Sequence, residues 1–254
     1  MSSVQVSVAE AAELLGVHPQ RVHQRIRAGS LPAHKIGNQW VVEMSDVRRI
    51  KRHAGPGRPL SSKSAWDLLA VAAGDPAAAG LSPSARSRAR SRLRSLLVHA
   101  SSDEPDDAAV HLVRTLGNRA ARALFVASPR DLPDVREDER VHPSGVCLPE
   151  SNLSVAAVAE GYVYSEHLDG IVEDHLLSPA PRSRANVILH VVPAGATHPA
   201  LIDVAAVARS PLAIAADLAE HDGVRERGEA LRSLADLHAR LAAQRPRAAG
   251  TDDG

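Results

Sequence analysis

Signals for the start and end of helices are so closely spaced near the N-terminus that they permit only two short helices joined by a tight turn. Ser7 is a favourable N-cap, and Glu10 stands three residues later, as a capping box requires. Gly16 is placed to end the first helix in the left-handed conformation. Pro19 occupies a favoured position in the first turn of a second helix. The pattern therefore predicts a helix-turn-helix unit.

Apolar spacing predicts which side chains of this unit face inward. Val22 and Ile26 are four residues apart and are expected to face the first helix. Val17, in the turn between the helices, is also expected to point inward. The polar residues around Val22 and Ile26 are then left facing solvent.

A β-hairpin and a third short helix are predicted next. Gly37-Asn38 is a two-residue turn signal flanked by residues suited to strands. Ser45 is expected to cap the following helix, whose last turn is basic. Three apolar residues of the hairpin are expected to pack inward: Ile36, Trp40 and Val42.

The order helix, turn, helix, hairpin, helix resembles the excisionase and MerR-type winged helix-turn-helix. The residues that carry the resemblance are VAEAAELLGVHPQRVHQRIRAGSLPAHKIGNQWVVEMSDVRRI. It implies that the second helix enters the major groove of duplex DNA, where Arg pairs with guanine and Gln with adenine. The candidates for base contact are Gln20, Arg21 and Gln24. The candidates for phosphate contact in this module are His18, His23, Arg25, Lys35, Asn38 and Gln39. Many members carry basic residues where this chain has Gln39-Trp40.

The charge of the chain is unevenly distributed. Residues 1–100 carry 15 Lys and Arg against 6 Asp and Glu, whereas residues 101–254 carry 15 against 24. Such asymmetry suggests a front half that binds nucleic acid and a rear half with a different task. Aromatic residues make up only 2% of the chain, and single-stranded nucleic acid is bound largely by stacking on aromatic side chains. Double-stranded DNA is therefore the expected partner.

An arginine-rich segment, LSPSARSRARSRLRSLLVHA, is predicted to form a helix that begins at Ser82-Pro83. One apolar face is expected to contain Ala85, Ala89, Leu93, Leu96 and Leu97. The arginines that border it on one side are candidates for phosphate contact: Arg86, Arg90 and Arg94. Arg88 and Arg92 border the other side, and Arg58 in the preceding linker is a further phosphate candidate. Two alternatives remain open, since the helical arginines suit either DNA or the acidic C-terminal half. The alternation of arginines also allows a strand.

The predicted fold class is mainly α with small β elements (α+β). A helix capped by Ser61 or Ser62 is expected to carry Trp66, residues 108–127 are expected to be helical, and ANVILHVV is the clearest strand. Two helices are predicted near the C-terminus, at about 211–221 and 224–242. The expected organisation is a winged helix-turn-helix at 1–53, a linker and arginine-rich helical segment at 54–102, a larger α+β domain at 103–244 and a disordered tail at 245–254.

The C-terminal part is similar to AbiEi-type antitoxins of type IV toxin–antitoxin systems. The similar pieces are GRPLSSKSAWDLL, VHPSGV, RANVILHVV and AIAADLAEHDGVRERGEALRSL. The usual N-terminal winged helix of that family is not of the excisionase type. The resemblance implies an antitoxin that represses its own promoter and opposes a nucleotidyltransferase-type toxin encoded beside it. That toxin and a second copy of the chain are the candidate protein partners.

No catalytic, metal or cofactor site is predicted. P-loop, dinucleotide-binding and nucleophile-elbow motifs are absent from the sequence. His167 and His175 lack the close spacing of a zinc site, and the lone Cys147 permits no disulfide within the chain. Without a signal-peptide pattern or a run of about 18 apolar residues, the chain is expected to be cytoplasmic and not bound to a membrane.

The leading interpretation is a sequence-specific regulator that is not an enzyme and acts as antitoxin and autorepressor. One alternative is a stand-alone regulator whose C-terminal half binds a ligand or forms a dimer. The other is an enzyme that acts on DNA, with Asp131, Asp134 and Glu137 as candidate metal ligands, although their setting is typical of a solvated loop.

Overall fold

The computed structural model describes residues 5–27, 31–37, 39–53, 59–102, 105–153, 157–193 and 203–243. The chain divides into two structural units, with the boundary between residues 58 and 59. Helices predominate in the described ranges and strands form two small sheets, which confirms the predicted fold class. The tail at 245–254, Asn38 and Arg58 lie outside the described residues, and the four-part division of the chain stays a prediction.

The first unit is a helix-turn-helix with a three-stranded sheet. Its elements are β1 (Gln5–Ser7), α1 (Val8–Leu15), α2 (Pro19–Arg27), β2 (Ala33–Ile36), β3 (Gln39–Glu43) and α3 (Met44–His53). The strands are antiparallel in the order β1-β3-β2. The buried apolar side chains that join helices and sheet are Val6, Ala11, Ala12, Val22, Leu31, Val42, Val47 and Ile50.

Local capping fixes the limits of α1. The Ser7 hydroxyl accepts the N–H of Glu10 at 3.2 Å, and the Glu10 carboxylate accepts the N–H of Ser7 at 2.8 Å, which confirms the capping box. Gly16 ends the helix at φ +64°, a conformation that glycine adopts without steric cost. Helix α2 then begins at Pro19, as predicted.

The hairpin is confirmed, but Ile36 in the hairpin and Val17 in the turn between α1 and α2 do not point inward as predicted. Lys35 pairs with Trp40 and Ile36 with Gln39 across β2 and β3. Val42 is buried, whereas Ile36 is 57% exposed because it lies at the solvent-facing end of the hairpin. Val17 is 38% exposed. Helix α3 follows β3 directly and begins at Met44, so Ser45 lies inside the helix and is not its cap.

The second unit is a helical layer joined to a five-stranded sheet. Its helices are α4 (Ser62–Ala73), α5 (Asp75–Ala78), α6 (Pro83–Ser102), α7 (Pro105–Leu116), α8 (Leu132–Glu137), α9 (Leu168–Asp174), α10 (Val204–Ala208), α11 (Pro211–Ala219) and α12 (Val224–Ala243). Its strands are β4 (Ala121–Val126), β5 (His142–Pro143), β6 (Ala159–Tyr164), β7 (Ser178–Pro179) and β8 (Val187–Val192). The two C-terminal helices are therefore confirmed.

The sheet of the second unit has the order β5-β6-β8-β4-β7. Strands β6 and β8 are parallel, and the other neighbouring pairs are antiparallel. Every residue of the central strand β8 is buried. Burial on both faces explains why this segment is a continuous apolar run rather than an alternating one, and it confirms the predicted strand.

Helices α4, α6, α7, α11 and α12 form the main apolar core with one side of the sheet. Ser61 caps α4, as one of the two predicted alternatives. Trp66 on α4 is fully buried, and its indole N–H donates to the Arg119 carbonyl at 2.8 Å. The predicted apolar face of α6 is confirmed, because Ala85, Ala89, Leu93, Leu96 and Leu97 are all buried.

The predicted helix over residues 108–127 is wrong in its second half. Helix α7 ends at Leu116, and residues 121–126 form strand β4. Gly117-Asn118 interrupts the helical pattern, and β4 then pairs with β8 from Ala121 opposite Val191 to Phe125 opposite Val187. Tertiary pairing thus overrides the helical spacing of Leu112, Leu116, Ala120 and Leu124.

Candidate nucleic-acid interface

Helix α2 presents one apolar and one polar face. Val22 is fully buried in the core of the first unit, whereas Gln20, Arg21 and Gln24 are exposed. Because successive residues are rotated by about 100° around a helix, Gln24 lies nearly opposite the buried side. All three predicted base-contact residues therefore share the outward surface of α2, and α2 contains no acidic residue.

The residues predicted to contact phosphate here are His18, directly before α2, and His23 and Arg25 on α2. They flank this outward surface. His18 Nδ1 accepts the N–H of Gln20 at 3.3 Å, which satisfies one free donor at the start of the helix. His23 is half-buried and Arg25 is exposed. The Arg25 carbonyl accepts the N–H of Leu31 at 3.2 Å, which connects the end of α2 to the segment before the hairpin.

The hairpin carries a positioned lysine. Lys35 Nζ lies 5.3 Å from the centre of the Trp40 ring on the opposite strand, a distance suited to a cation–π contact. Lys35 and Gln39 are exposed, and Trp40 is half-buried. The Trp40 ring therefore supports the ammonium group of Lys35 across the hairpin.

The three α6 arginines predicted to contact phosphate differ from one another in their surroundings. Arg86 is half-buried, and its Nη2 donates to the carbonyls of Ala78 at 2.8 Å and Ala79 at 3.3 Å, near the end of α5. Arg90 and Arg94 are exposed. A surface cavity of about 400 Å³ is lined by Leu81, Pro83, Arg86, Ser87, Arg90 and Arg94. The cavity brings the three predicted arginines together, although Arg86 already binds carbonyl groups.

A buried network around Arg119 was not predicted from the sequence. The Arg119 side chain is 1% exposed and that of Asp217 is 0% exposed, and Arg119 Nη2 lies 2.7 Å from Asp217 Oδ1. Arg119 Nε donates to Tyr162 Oη at 2.8 Å, Tyr162 Oη donates to Asp217 Oδ1 at 2.7 Å, and Arg119 Nη1 contacts Glu220 at 2.5 Å. Burial acts to raise the pKa of Glu220, but attraction to Arg119 and Arg122 outweighs it and lowers that pKa to about 2.

A second buried cluster surrounds Glu160. His190 Nε2 lies 3.0 Å and His221 Nε2 3.1 Å from its carboxylate oxygens, and the N–H of Val146 donates to Oε2 at 3.0 Å. Burial acts to raise the pKa of Glu160, whereas attraction to His221 and hydrogen bonding by His190 hold it well below its usual range. Gly145 has φ +52°, and a Cβ built on it would lie 2.2 Å from Glu160 Oε2.

The sequence contains one indication of both clusters. In each case a polar residue lies inside an apolar run. His190 interrupts VILHVV, and Asp217 interrupts PLAIAADLA. Both clusters are enclosed by α11 and the central strands and connect elements distant in sequence. In both clusters, hydrogen bonds between buried polar side chains connect a helix or the segment that follows it to strands of the sheet.

Cys147 is a half-buried free cysteine. Burial raises the pKa of its thiol, whose Sγ donates to the Val158 carbonyl at 3.3 Å and accepts the N–H of Glu160 at 3.1 Å. Across the described ranges, no three His, Cys, Asp or Glu side chains are grouped to hold a metal ion. None of the helices in those ranges combines the length and apolar character needed to cross a bilayer.

Comparison with known proteins agrees with the geometry of the first unit. Residues 6–53 match the family model of a helix-turn-helix domain. Searches of curated proteins and of solved structures found no match to the chain. The match covers about a fifth of the chain, and it spans α1, α2, the hairpin and α3. Residues 6–53 are therefore a helix-turn-helix domain of the kind that binds DNA.

Proposed function

We propose that this protein is a sequence-specific transcription regulator that binds duplex DNA through α2. The observation that carries the proposal is the outward surface of α2, which has no carboxylate. Gln20 and Gln24 project opposite the buried Val22, and the exposed Arg21 lies beside them. In helix-turn-helix domains the second helix lies in the major groove. Arg can make two hydrogen bonds to guanine and Gln two to adenine.

The remaining polar residues of the first unit are proposed to hold the DNA backbone. His23 and Arg25 lie on α2 and His18 directly precedes it, and Lys35 and Gln39 lie on the two strands of the hairpin. Phosphate contacts fix orientation and carry no sequence information. Lys35, supported by Trp40, is proposed to place the hairpin beside a phosphate. Arg58 and Asn38 complete the proposed set.

The test begins with selection of bound duplexes from a random-sequence library by the full chain. Arg21→Ala is expected to weaken the selected site by about 1–3 kcal/mol and to relax preference at one base position, whereas Lys35→Ala should weaken all sequences about equally. Arg130→Ala is the matched control, because this exposed arginine lies in the second unit. The proposal is wrong if no sequence is enriched, or if the Arg21 and Arg130 variants behave alike.

The second unit is proposed to act as an antitoxin and autorepressor module, with no catalytic step of its own. Support comes from the similarity of GRPLSSKSAWDLL, VHPSGV, RANVILHVV and AIAADLAEHDGVRERGEALRSL to AbiEi-type antitoxins. The proposal places the protein in the cytoplasm beside a nucleotidyltransferase-type toxin.

Co-expression with the neighbouring gene tests the antitoxin role. The expected result is that the neighbouring product is a nucleotidyltransferase-type protein, that it slows growth alone, and that the present chain restores growth. Failure of that rescue would remove the antitoxin role and leave the DNA-binding proposal standing. A selected site with two symmetric halves would indicate a homodimer, since helix-turn-helix dimers bind paired half-sites.

A further inference from the structure

Helix α6 presents a strongly cationic surface, which we call the α6 arginine face: Arg88, Arg90, Arg92 and Arg94. No Asp or Glu occurs between residues 83 and 102. Arg88, Arg90 and Arg94 are exposed and Arg92 is half-buried. The serines between them, Ser87, Ser91 and Ser95, are exposed and short, so they leave room for a partner to approach the helix.

The helix is held firmly by its other side. Leu93, Leu96 and Leu97 are each 3% exposed and belong to the main core of the second unit. Helix α6 contacts α4, α7 and α12. The burial of this apolar side fixes the orientation of the α6 arginine face, so a partner would meet it without first ordering the helix.

Among the described residues, three of the four arginines have no carboxylate partner. Within the part of the chain that the structure describes, Arg88, Arg92 and Arg94 form no ion pair, while other arginines of the same unit, such as Arg119 and Arg209, each meet a carboxylate. The apolar side of α6 packs on α7 and α12, but binding of the arginines themselves to carboxylates of the acidic half would require such pairs. The described contacts therefore favour a partner outside the chain.

We propose that the α6 arginine face binds the phosphate backbone of duplex DNA without regard to sequence, as a second contact in addition to that of the helix-turn-helix. This inference rests on the proposed function, because the first unit would bring DNA to the same chain and raise its effective concentration. Arg88 and Arg92 are one turn apart, about 6 Å along the helix axis, and their long side chains can reach neighbouring phosphates. Arg90 and Arg94 lie on the other side of the serine strip. The cavity of about 400 Å³ beside them offers space for a phosphate group.

The test compares two triple variants of the full chain on a mixed-sequence duplex of roughly 30 base pairs, over a range of salt concentrations. The test variant replaces three residues of the face by Gln: Arg88, Arg92 and Arg94. The control variant replaces three exposed arginines elsewhere in the second unit by Gln: Arg130, Arg184 and Arg225. Both remove the same charge, and thermal unfolding checks that both are folded.

The expected result is a weaker affinity for the test variant, with a slope of log K against log salt that is smaller by about 2 to 3, since each phosphate contact contributes about 0.9. The control should keep nearly the slope of the unmodified chain. Replacing the same three residues of the face by Lys should restore most of the slope, because lysine still binds phosphate as a point charge.

Other results would overturn the inference and separate it from the proposed function. An unchanged affinity and slope in the test variant, with Arg21→Ala still impaired, would remove the α6 contact and leave the helix-turn-helix proposal intact. A loss confined to single-stranded RNA of equal length would assign the face to RNA and reject the DNA contact. If the unmodified chain binds no duplex even at low salt, both proposals fail.

Discussion

Replacing Arg119 by Met tests whether the buried network holds the second unit together. The guanidinium group is 1% exposed and contacts Asp217, Tyr162, Glu220 and the Leu116 carbonyl. Methionine retains much of the apolar volume but removes the charge and every donor. Asp217 is then left as a fully buried carboxylate whose remaining contacts among the described residues are the Tyr162 hydroxyl at 2.7 Å and His190 Nε2 at 3.9 Å.

The expected cost follows from this geometry. Removing one partner of a buried ion pair typically costs about 3–5 kcal/mol, since an uncompensated charge remains in the interior. For a unit of this size, each kcal/mol lowers the melting temperature by roughly 2–4 °C, so a fall of about 6–20 °C is expected. Arg209→Met is the control. Its pair with Glu150 is 3.4 Å long and about half exposed on both sides, so the loss should be under about 1 kcal/mol.

Urea unfolding followed by tryptophan fluorescence can report on the second unit alone. The chain has two tryptophans, Trp40 in the first unit and the fully buried Trp66 in the second. In a Trp40→Phe background, the signal comes from Trp66. A change in the urea midpoint at constant m-value measures the change in the free energy of unfolding.

A double variant provides the decisive comparison. With both Arg119→Met and Asp217→Leu, the buried charge pair is replaced by apolar side chains, a change that is often neutral or stabilising. Part of the lost stability should return, although the Tyr162 hydroxyl keeps no partner and costs about 1–3 kcal/mol. The reasoning is refuted if Arg119→Met costs no more than Arg209→Met, or if the two substitutions in the network are simply additive.

Two further predictions concern acid stability and a glycine. Because the pKa of Glu220 in the folded chain, about 2, lies below its ordinary value of 4.5, its ionised form stabilises the fold above pH 4.5 and loses this effect as pH falls toward 2. Urea midpoints of Glu220→Gln should be lower at neutral pH and should fall less on acidification, whereas a pH dependence identical to that of the unmodified chain would contradict the assignment. Gly145→Ala should destabilise by at least about 1 kcal/mol, because its Cβ would overlap the Glu160 carboxylate and alanine is strained at φ +52°. Gly228 lies in α12, and no atom is found within 4 Å of a Cβ added there. Gly228→Ala should therefore stabilise the fold by about 0.5–1 kcal/mol. Equal effects of the Gly145 and Gly228 substitutions would count against the steric argument.

Features whose causes lie within a few residues could be predicted before the fold was known. Ser7 and Glu10 cap α1 through groups three residues apart, and Gly16 ends the helix by its own backbone conformation. The hairpin follows from its turn residues, and the apolar face of α6 from helical spacing. Such short-range interactions can be recognised without knowing where the rest of the chain lies.

Features that depend on partners distant in sequence emerge only from the three-dimensional fold. Residues 121–126 have helical spacing, yet they form β4 because β8 and β7 offer hydrogen bonds on both sides. Arg119 and Asp217 are 98 residues apart in sequence, and no local pattern shows that one will neutralise the other. Arg86 likewise binds the carbonyls near the end of α5, while Arg88 stays exposed on the same helix. In each case the outcome depends on which groups the fold brings within hydrogen-bonding distance, because a buried polar group must find its partner wherever the chain places one.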